Sequence, residues 1–263
     1  MFEDIKLCSR VESIVREVGK LQLSYFTEAR SLDRQEKDGA GFFTQVDIES
    51  EQFLIKNLST VIPGAAFFAE ESGVTGNGDY RWVIDPLDGT INFAHGLPHF
   101  CVSVALTYKD ELIFGMIYQP VLDELFWAQK GKGAWLNGDR ISVTEPEQFD
   151  KSLLVIGLPY EAKRDYKAYL QKIIAVVPKA YTFRYLGAAA LDLAYVACGR
   201  FDGIFFAGLE WWDFAAGDLL ISEAGGRVTD FRGNAIHSGS ESLVAGGKQV
   251  YSRLFELIES EGS

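Results

Sequence analysis

Apolar residues recur every third or fourth position through Leu7, Val11, Ile14, Val15, Val18 and Leu21. That is the period of one helix face and predicts a helix over residues 3–30. A charged stretch, 33–38, reads as a loop. The same period returns over 47–61, closed by Pro63-Gly64, with Asp47 placed where an acid favours a helix start. From there short apolar runs take over and predict strands at 66–69 and 81–85, a hairpin of 99–108 and 111–119 around Lys109-Asp110, and a strand at 124–129 turned by Lys130-Gly131-Lys132-Gly133. Residues 144–150 read as the one linker. Beyond it strand and helix alternate: strands at 153–156, 181–185 and 201–206, helices at 166–177, 188–197, 213–224 (stopped by Gly225-Gly226) and 250–258. The first half is α+β and the second alternating α/β, so layered sheets and helices are expected. The two halves, 1–145 and 150–263, are read as tightly fused.

Composition narrows the function. The 263 residues are 48% hydrophobic, enough for a large core. The formal net charge of −12 disfavours a nucleic-acid backbone as partner. The charged N-terminus is not a secretory signal, and the apolar run 100–106 is far too short to cross a bilayer, so no membrane partner is expected. Three scattered cysteines fit a reducing cytoplasm and lack zinc-ligand spacing.

The candidate chemistry lies in Trp82-Val83-Ile84-Asp85-Pro86-Leu87-Asp88-Gly89-Thr90. An apolar strand ends in two carboxylates, with Pro86 fixing one torsion between them and Gly89 permitting a sharp turn. Paired acids attract hard divalent cations, and a hydroxyl beside them suggests phosphate chemistry. Glu70 also follows an apolar run, and Asp213 opens a helix after Trp211-Trp212. Four such carboxylates carry about −4 and a phosphate monoester up to about −2, a sum that two or three Mg²⁺ ions would neutralise. Each piece alone has a plainer reading. Asp-Pro-X-Asp-Gly is common turn chemistry, Glu70-Glu71 reads equally as a solvated face, and Asp213 as a helix cap. His95, in a loop after the motif, and His99 and His237, without partners at ligand spacing, read as structural or surface residues. No nucleoside-triphosphate P-loop and no Gly-X-Ser-X-Gly elbow is present, and Cys101, inside an apolar strand, reads as inert.

These residues resemble the inositol monophosphatase family of Mg²⁺-dependent, lithium-sensitive phosphatases. The resemblance rests on residues 82–93, on Trp212-Asp213-Phe214-Ala215-Ala216-Gly217 running on to Glu223-Ala224-Gly225-Gly226, on Glu70-Glu71-Ser72, on Phe43-Thr44-Gln45-Val46-Asp47, and on the hairpin and Asn-Gly turn of 123–138. It implies a layered α-β-α-β-α sandwich and a homodimer. It implies metal ligation by Glu70, Asp85, Asp88, Asp213 and the Leu87 carbonyl, with Glu70, Thr90 and Asp47 as the catalytic set. Asp88, Gly89, Thr90, Ala189 and Asp213 are placed on the substrate side, the Gly89 and Thr90 amides holding the phosphate, and Glu210 is expected there as this chain's own substitute for a family glutamate. The expected reaction is hydrolysis of inositol 1-phosphate by in-line attack of a metal-activated water. The sequence departs from the family's pattern at Phe206, where many members have a glutamate that binds sugar hydroxyls, and in the apolar loop Gly157-Leu158-Pro159-Tyr160. Fructose 1,6-bisphosphate, NADP or a 3′-phosphonucleotide therefore remain alternative substrates. An inactive, metal-dependent binding relative is the alternative from another class. A purely structural Ca²⁺ site is disfavoured by the missing EF-hand pattern.

Overall fold

The computed structural model describes residues 4–36, 42–158 and 166–259. Parts of two expected loops, 33–38 and 157–160, lie outside the described residues. Among the described residues the α-helices are α1 (Asp4–Phe26), α2 (Gln45–Val61), α3 (Thr90–Ala94), α4 (Tyr166–Val176), α5 (Ala189–Ala197), α6 (Trp211–Glu223) and α7 (Lys248–Glu259). Strands β1 (Gln35–Glu36) and β2 (Phe42–Phe43) pair with each other. Strands β3 (Ala66–Ala69), β4 (Gly73–Thr75), β5 (Tyr80–Asp88), β6 (Cys101–Tyr108), β7 (Glu111–Gln119), β8 (Glu124–Gln129), β9 (Gly133–Leu136) and β10 (Asp139–Ile141) form one sheet in the order β10-β9-β8-β7-β6-β5-β3-β4. Strands β11 (Leu153–Ile156), β12 (Thr182–Arg184), β13 (Gly203–Ala207), β14 (Arg227–Thr229) and β15 (Ser242–Gly246) form a second, in the order β12-β11-β13-β15-β14.

Side-chain alternation along the strands builds the layers. In β5, Trp82 and Ile84 pack with Val11 and Val15 of α1 and Leu54 and Leu58 of α2. Val83, between them, joins Leu193 of α5 and Phe214 of α6 on the opposite face. In the second sheet Val155, Ile204, Phe206 and Ala245 face that same middle layer, whereas Leu154, Phe205 and Val244 face Tyr169 of α4 and Val250 of α7. The stacking is therefore α-β-α-β-α. The central strands are buried on both faces and so appear in the sequence as unbroken apolar runs rather than alternating ones. The helices of the middle layer approach closely because small residues face their neighbours. A Cβ on Gly217 of α6 would meet Leu193 Cβ at 2.5 Å, and one on Gly115 of β7 would sit 3.0 Å from Ala216 Cα.

Several expected elements change. β14 and β15 are absent from the sequence reading. β15 runs antiparallel to β13, so the second sheet is mixed rather than a simple strand–helix alternation. Only Leu243-Val244-Ala245 is apolar there, too short a run to stand out between Ser and Gly residues. The strand at 81–85 extends through Asp88, and α3 starts two residues later. Residues 144–150 are tied down rather than free. Thr144 donates to Asp202, and Glu145 accepts from the first amides of α7, Lys248 N and Gln249 N.

Candidate active site

Register brings the acids together. β3 and β5 run parallel with Ala69 opposite Ile84, and Glu70 N donates to Ile84 O at 3.2 Å, so Glu70 leaves the sheet beside Asp85. Ile84 faces α1 and α2, so the strand's alternation turns Asp85 toward the middle layer, where α6 begins with Trp211-Trp212-Asp213. Phe68 of β3 meets Trp212 edge-on at 5.0 Å, which seats that end of α6 against the same strands. The ladder between β5 and β6 then slips. Asp85 pairs with Ser103 but Asp88 with Cys101, so three steps on one strand match two on the other. This bulge lets two carboxylates three residues apart serve one region. Within it, Asp85 Oδ1 accepts from Leu87 N at 3.0 Å.

Each acid is also held by its own donors. Asp88 Oδ1 accepts from Ala189 N at 2.9 Å and Oδ2 from Leu191 N at 3.1 Å. These are early amides of α5, whose own cap position is Ala188, a residue without a side-chain oxygen. Ala189 thus meets Asp88 through its amide. Cys101 Sγ donates to Asp88 Oδ2 at 3.4 Å, and burial pushes this thiol well above the ordinary range, so it is a structural thiol. Asp213 Oδ2 accepts from Glu210 N at 2.7 Å, tying the exposed Glu210 to the start of α6. Asp47, fully buried, accepts from Thr44 N at 2.8 Å and Thr44 Oγ1 at 2.6 Å, closing α2 as a capping box. Its other oxygen lies 2.9 Å from Thr90 Oγ1, which is also 3.0 Å from Leu87 O. The single Thr90 proton goes to one of these acceptors at a time. Gly89, before α3, has φ +90°, and a Cβ there would stand 2.9 Å from His99 O, so only glycine fits the turn.

The acids repel one another. Burial, then Glu70, Asp88 and Asp213, raise the Asp85 carboxyl well above its ordinary value. Burial, then Glu70 and Asp88, do the same to Asp213 against the opposing Glu210 amide. Burial lifts Asp88 to about 6, partly opposed by the Leu191 amide. Among the described residues no Lys or Arg pairs with Asp47, Asp85, Asp88 or Asp213. Buried acids without counter-charge are costly, and oxygen donors of this kind suit a hard divalent cation. The donor set therefore fits Mg²⁺. Among the described residues, however, no group of three or more His, Cys, Asp or Glu side chains is already arranged to hold an ion.

The remaining expected residues divide. Phe206 is buried at 4% exposure in the middle layer. It fills the space over Gly157, where a Cβ would meet its ring at 2.0 Å. His95 is exposed. His99, read as a structural or surface residue, binds the buried Asp192 carboxylate at 2.9 Å. Asp192 escaped the sequence reading, as did Glu51, which is 3% exposed. The signal for both was a lone acid on an apolar helix face. Asn92 of α3 donates to His99 O before β6 and to Leu186 O in the loop before α5, both at 2.8 Å.

With the geometry in place, the chain can be set beside known proteins. The model of the inositol monophosphatase family matches residues 7–263. Nus factor SuhB of Salmonella typhimurium is 39% identical over 248 residues, covering 94% of this chain and 93% of that protein. Inositol-1-monophosphatase of Caulobacter vibrioides is 37% identical over 241 residues, covering 89% and 94%. The crystal structure of the extragenic suppressor protein suhB from Bartonella henselae superposes with a TM-score of 0.92 at 34% identity, covering 97% of this chain and 98% of that one. No helix among the described residues is long and apolar enough to cross a membrane.

Proposed function

We propose that the chain, which belongs to the inositol monophosphatase family, is a Mg²⁺-dependent phosphomonoesterase acting first on inositol 1-phosphate. One observation carries the reading. A hydroxyl, Thr90 Oγ1, is hydrogen-bonded to the buried Asp47 beside acids that raise one another's proton affinity. Glu70, Asp85, the Leu87 carbonyl, Asp88 and Asp213 would hold two or three Mg²⁺ ions. When bound, Mg²⁺ supplies positive charge and Lewis acidity to the phosphate and the oxygens around it.

The chain's residues supply the rest. Thr90 gives its proton to Asp47 Oδ1 and keeps its lone pairs free to orient a water by accepting its proton. Burial raises the Asp47 carboxyl, against the opposing Thr44 donors, which makes it a stronger acceptor for that relay. The amides of Gly89 and Thr90 open α3 toward the phosphate, where first-turn N–H groups lack intrahelical partners. No side-chain nucleophile is needed, so no phosphoenzyme is expected. We further propose a homodimer in the cytoplasm, with no nucleic acid or membrane as partner. The exposed Ile174, Tyr181 and Tyr185, at 68%, 76% and 47%, are apolar side chains that a second copy could cover, and light scattering would report the mass.

The test is phosphate release at fixed Mg²⁺ from inositol 1-phosphate, fructose 1,6-bisphosphate, NADP and 3′-phosphoadenosine 5′-phosphate. Turnover that requires Mg²⁺ is expected, and Thr90→Ala should lower kcat ~10²-fold or more with Mg²⁺ affinity unchanged. Absence of hydrolysis across the panel would reject the enzyme and leave a binding protein.

A further inference from the structure

Helix α2 carries two buried acids one turn apart, Asp47 and Glu51, at 0% and 3% exposure. Spacing of four places both on one face. Asp47 reaches Thr90 on one side of the site. Glu51 reaches the other side, where Oε2 accepts from Glu71 N at 2.8 Å and Oε1 from Ser72 N at 2.9 Å. These amides follow Glu70 directly, at the turn where β3 ends and the chain doubles back so that Gly73 pairs with Ala69. A turn this tight leaves N–H groups that the sheet does not take, and a buried carboxylate is the one side chain with two acceptor oxygens for them.

We infer that Glu51 is a positioning residue for the Glu70 carboxylate, and that α2 is a single bracket fixing the Thr90 and Glu70 sides of the site at a set separation. The inference rests on the phosphatase reading only in taking Glu70 to be a metal ligand. The bond pattern is not itself the signature of a site. Glu223, at the far end of α6, clamps Gly131 N at 2.7 Å and Gly133 N at 2.8 Å in the same two-oxygen manner. That clamp holds the turn between β8 and β9 and contacts none of the candidate ligands. The two glutamates are alike in bonding and differ in burial, Glu51 being buried and Glu223 half-buried, and in what the clamped turn carries.

Glu51→Gln keeps the volume but one acceptor only, and its NH₂ group faces an N–H. In the full-length chain, Mn²⁺ binding by calorimetry and the Mg²⁺ dependence of phosphate release should both weaken about tenfold, the size typical for losing a group that orients a ligand, with kcat at saturating Mg²⁺ within about threefold of wild type. Glu223→Gln should lower the Tm and leave Mn²⁺ affinity at the wild-type value. If Glu51→Gln does not fold, Glu51→Asp carries the test, because it keeps the charge and draws the carboxylate back by one methylene. Mn²⁺ affinity within about twofold of wild type in the folded variant, or equal weakening in Glu223→Gln, would overturn the inference. A wild-type protein that binds Mn²⁺ but hydrolyses no phosphate monoester would sink the phosphatase reading and leave the Glu51 result decisive. A wild type that binds no Mn²⁺ removes both.

Discussion

Two helices open on the site and are capped in opposite ways. α2 is closed by its own residues: Thr44 Oγ1 accepts from Val46 N at 3.2 Å, and Asp47 reaches back to Thr44 N. α5 opens on Ala188, and its early amides are taken by Asp88, 101 and 103 residues away in sequence. The α2 start is complete without the rest of the site. The α5 start is not, because the acid that caps it is also a proposed metal ligand. At α2 the cap and the contact to Thr90 use different oxygens of Asp47 and can be altered one at a time, whereas at α5 both Asp88 oxygens take helix amides. The joining has a physical use: the helix N-terminus favours an anion, so it steadies a carboxylate that its acidic neighbours would otherwise repel.

The largest effect should come from breaking that joint. Asp88→Asn keeps one acceptor for the α5 amides and loses the charge, so phosphate release should fall ~10²–10³-fold while the Tm stays near wild type. Asp88→Ala removes both acceptors, and Ala188→Ser then offers a local oxygen in the extended backbone that caps require, φ −142° and ψ 95°. In the Asp88→Ala background Ala188→Ser should recover ~1 kcal/mol of stability and no activity, and in the wild type it should gain almost nothing. Equal gains in both backgrounds would show that Asp88 does not cap α5.

The same joint shapes the response to pH. Burial pushes Asp88 and Asp192 up to about 6 and Asp218 up to about 7, from an ordinary 3.8. The folded state therefore holds these protons more tightly than the unfolded chain does. Their contribution is fully present below the unfolded carboxylate value and is lost as pH rises through about 6 to 7. Metal-free protein should melt lower at about pH 7.5 than at about pH 5.5, and saturating Mg²⁺ should narrow the gap because it needs the ionised acids. Asp88→Asn should flatten the slope. A metal-free Tm that rises over this interval would contradict the burial of these acids.

What could be read in advance follows the same division between local and distant. Trp82 to Asp88 announced itself because a strand that ends in Asp-Pro is a local pattern, and Asp47 because an acid at a helix start is another. The convergence of Glu70 on Asp85 depends on a parallel register, Ala69 opposite Ile84, that no local period encodes. The bulge between Asp85 and Asp88 is equally hidden, since it is a property of the pairing with β6. Asp88 as the cap of α5, Glu51 as the clamp on the Glu70 turn and Asp192 as the partner of His99 are all contacts across the layers. For Glu51 and Asp192 the one trace in the sequence is an acid where an apolar helix face should continue. Phe206 shows the converse. Its type marked a departure from the family's pattern, but only packing reveals that it fills the core above Gly157.

The smallest effect should come from the self-contained helix start. Thr44→Val preserves shape, deletes the 2.6 Å bond to Asp47 Oδ2 and the acceptor for Val46 N, and leaves the backbone bond from Thr44 N in place. Stability should drop by ~1 kcal/mol, the usual cost of a lost cap, visible as a lower denaturation midpoint in urea. The contact between Asp47 Oδ1 and Thr90 is untouched, so kcat should change by less than about tenfold and the pH slope of the metal-free Tm should keep its wild-type value. A loss of activity approaching that of Asp88→Asn would mean that the α2 start is coupled to the chemistry as tightly as the α5 start, and the contrast between the two helices would collapse.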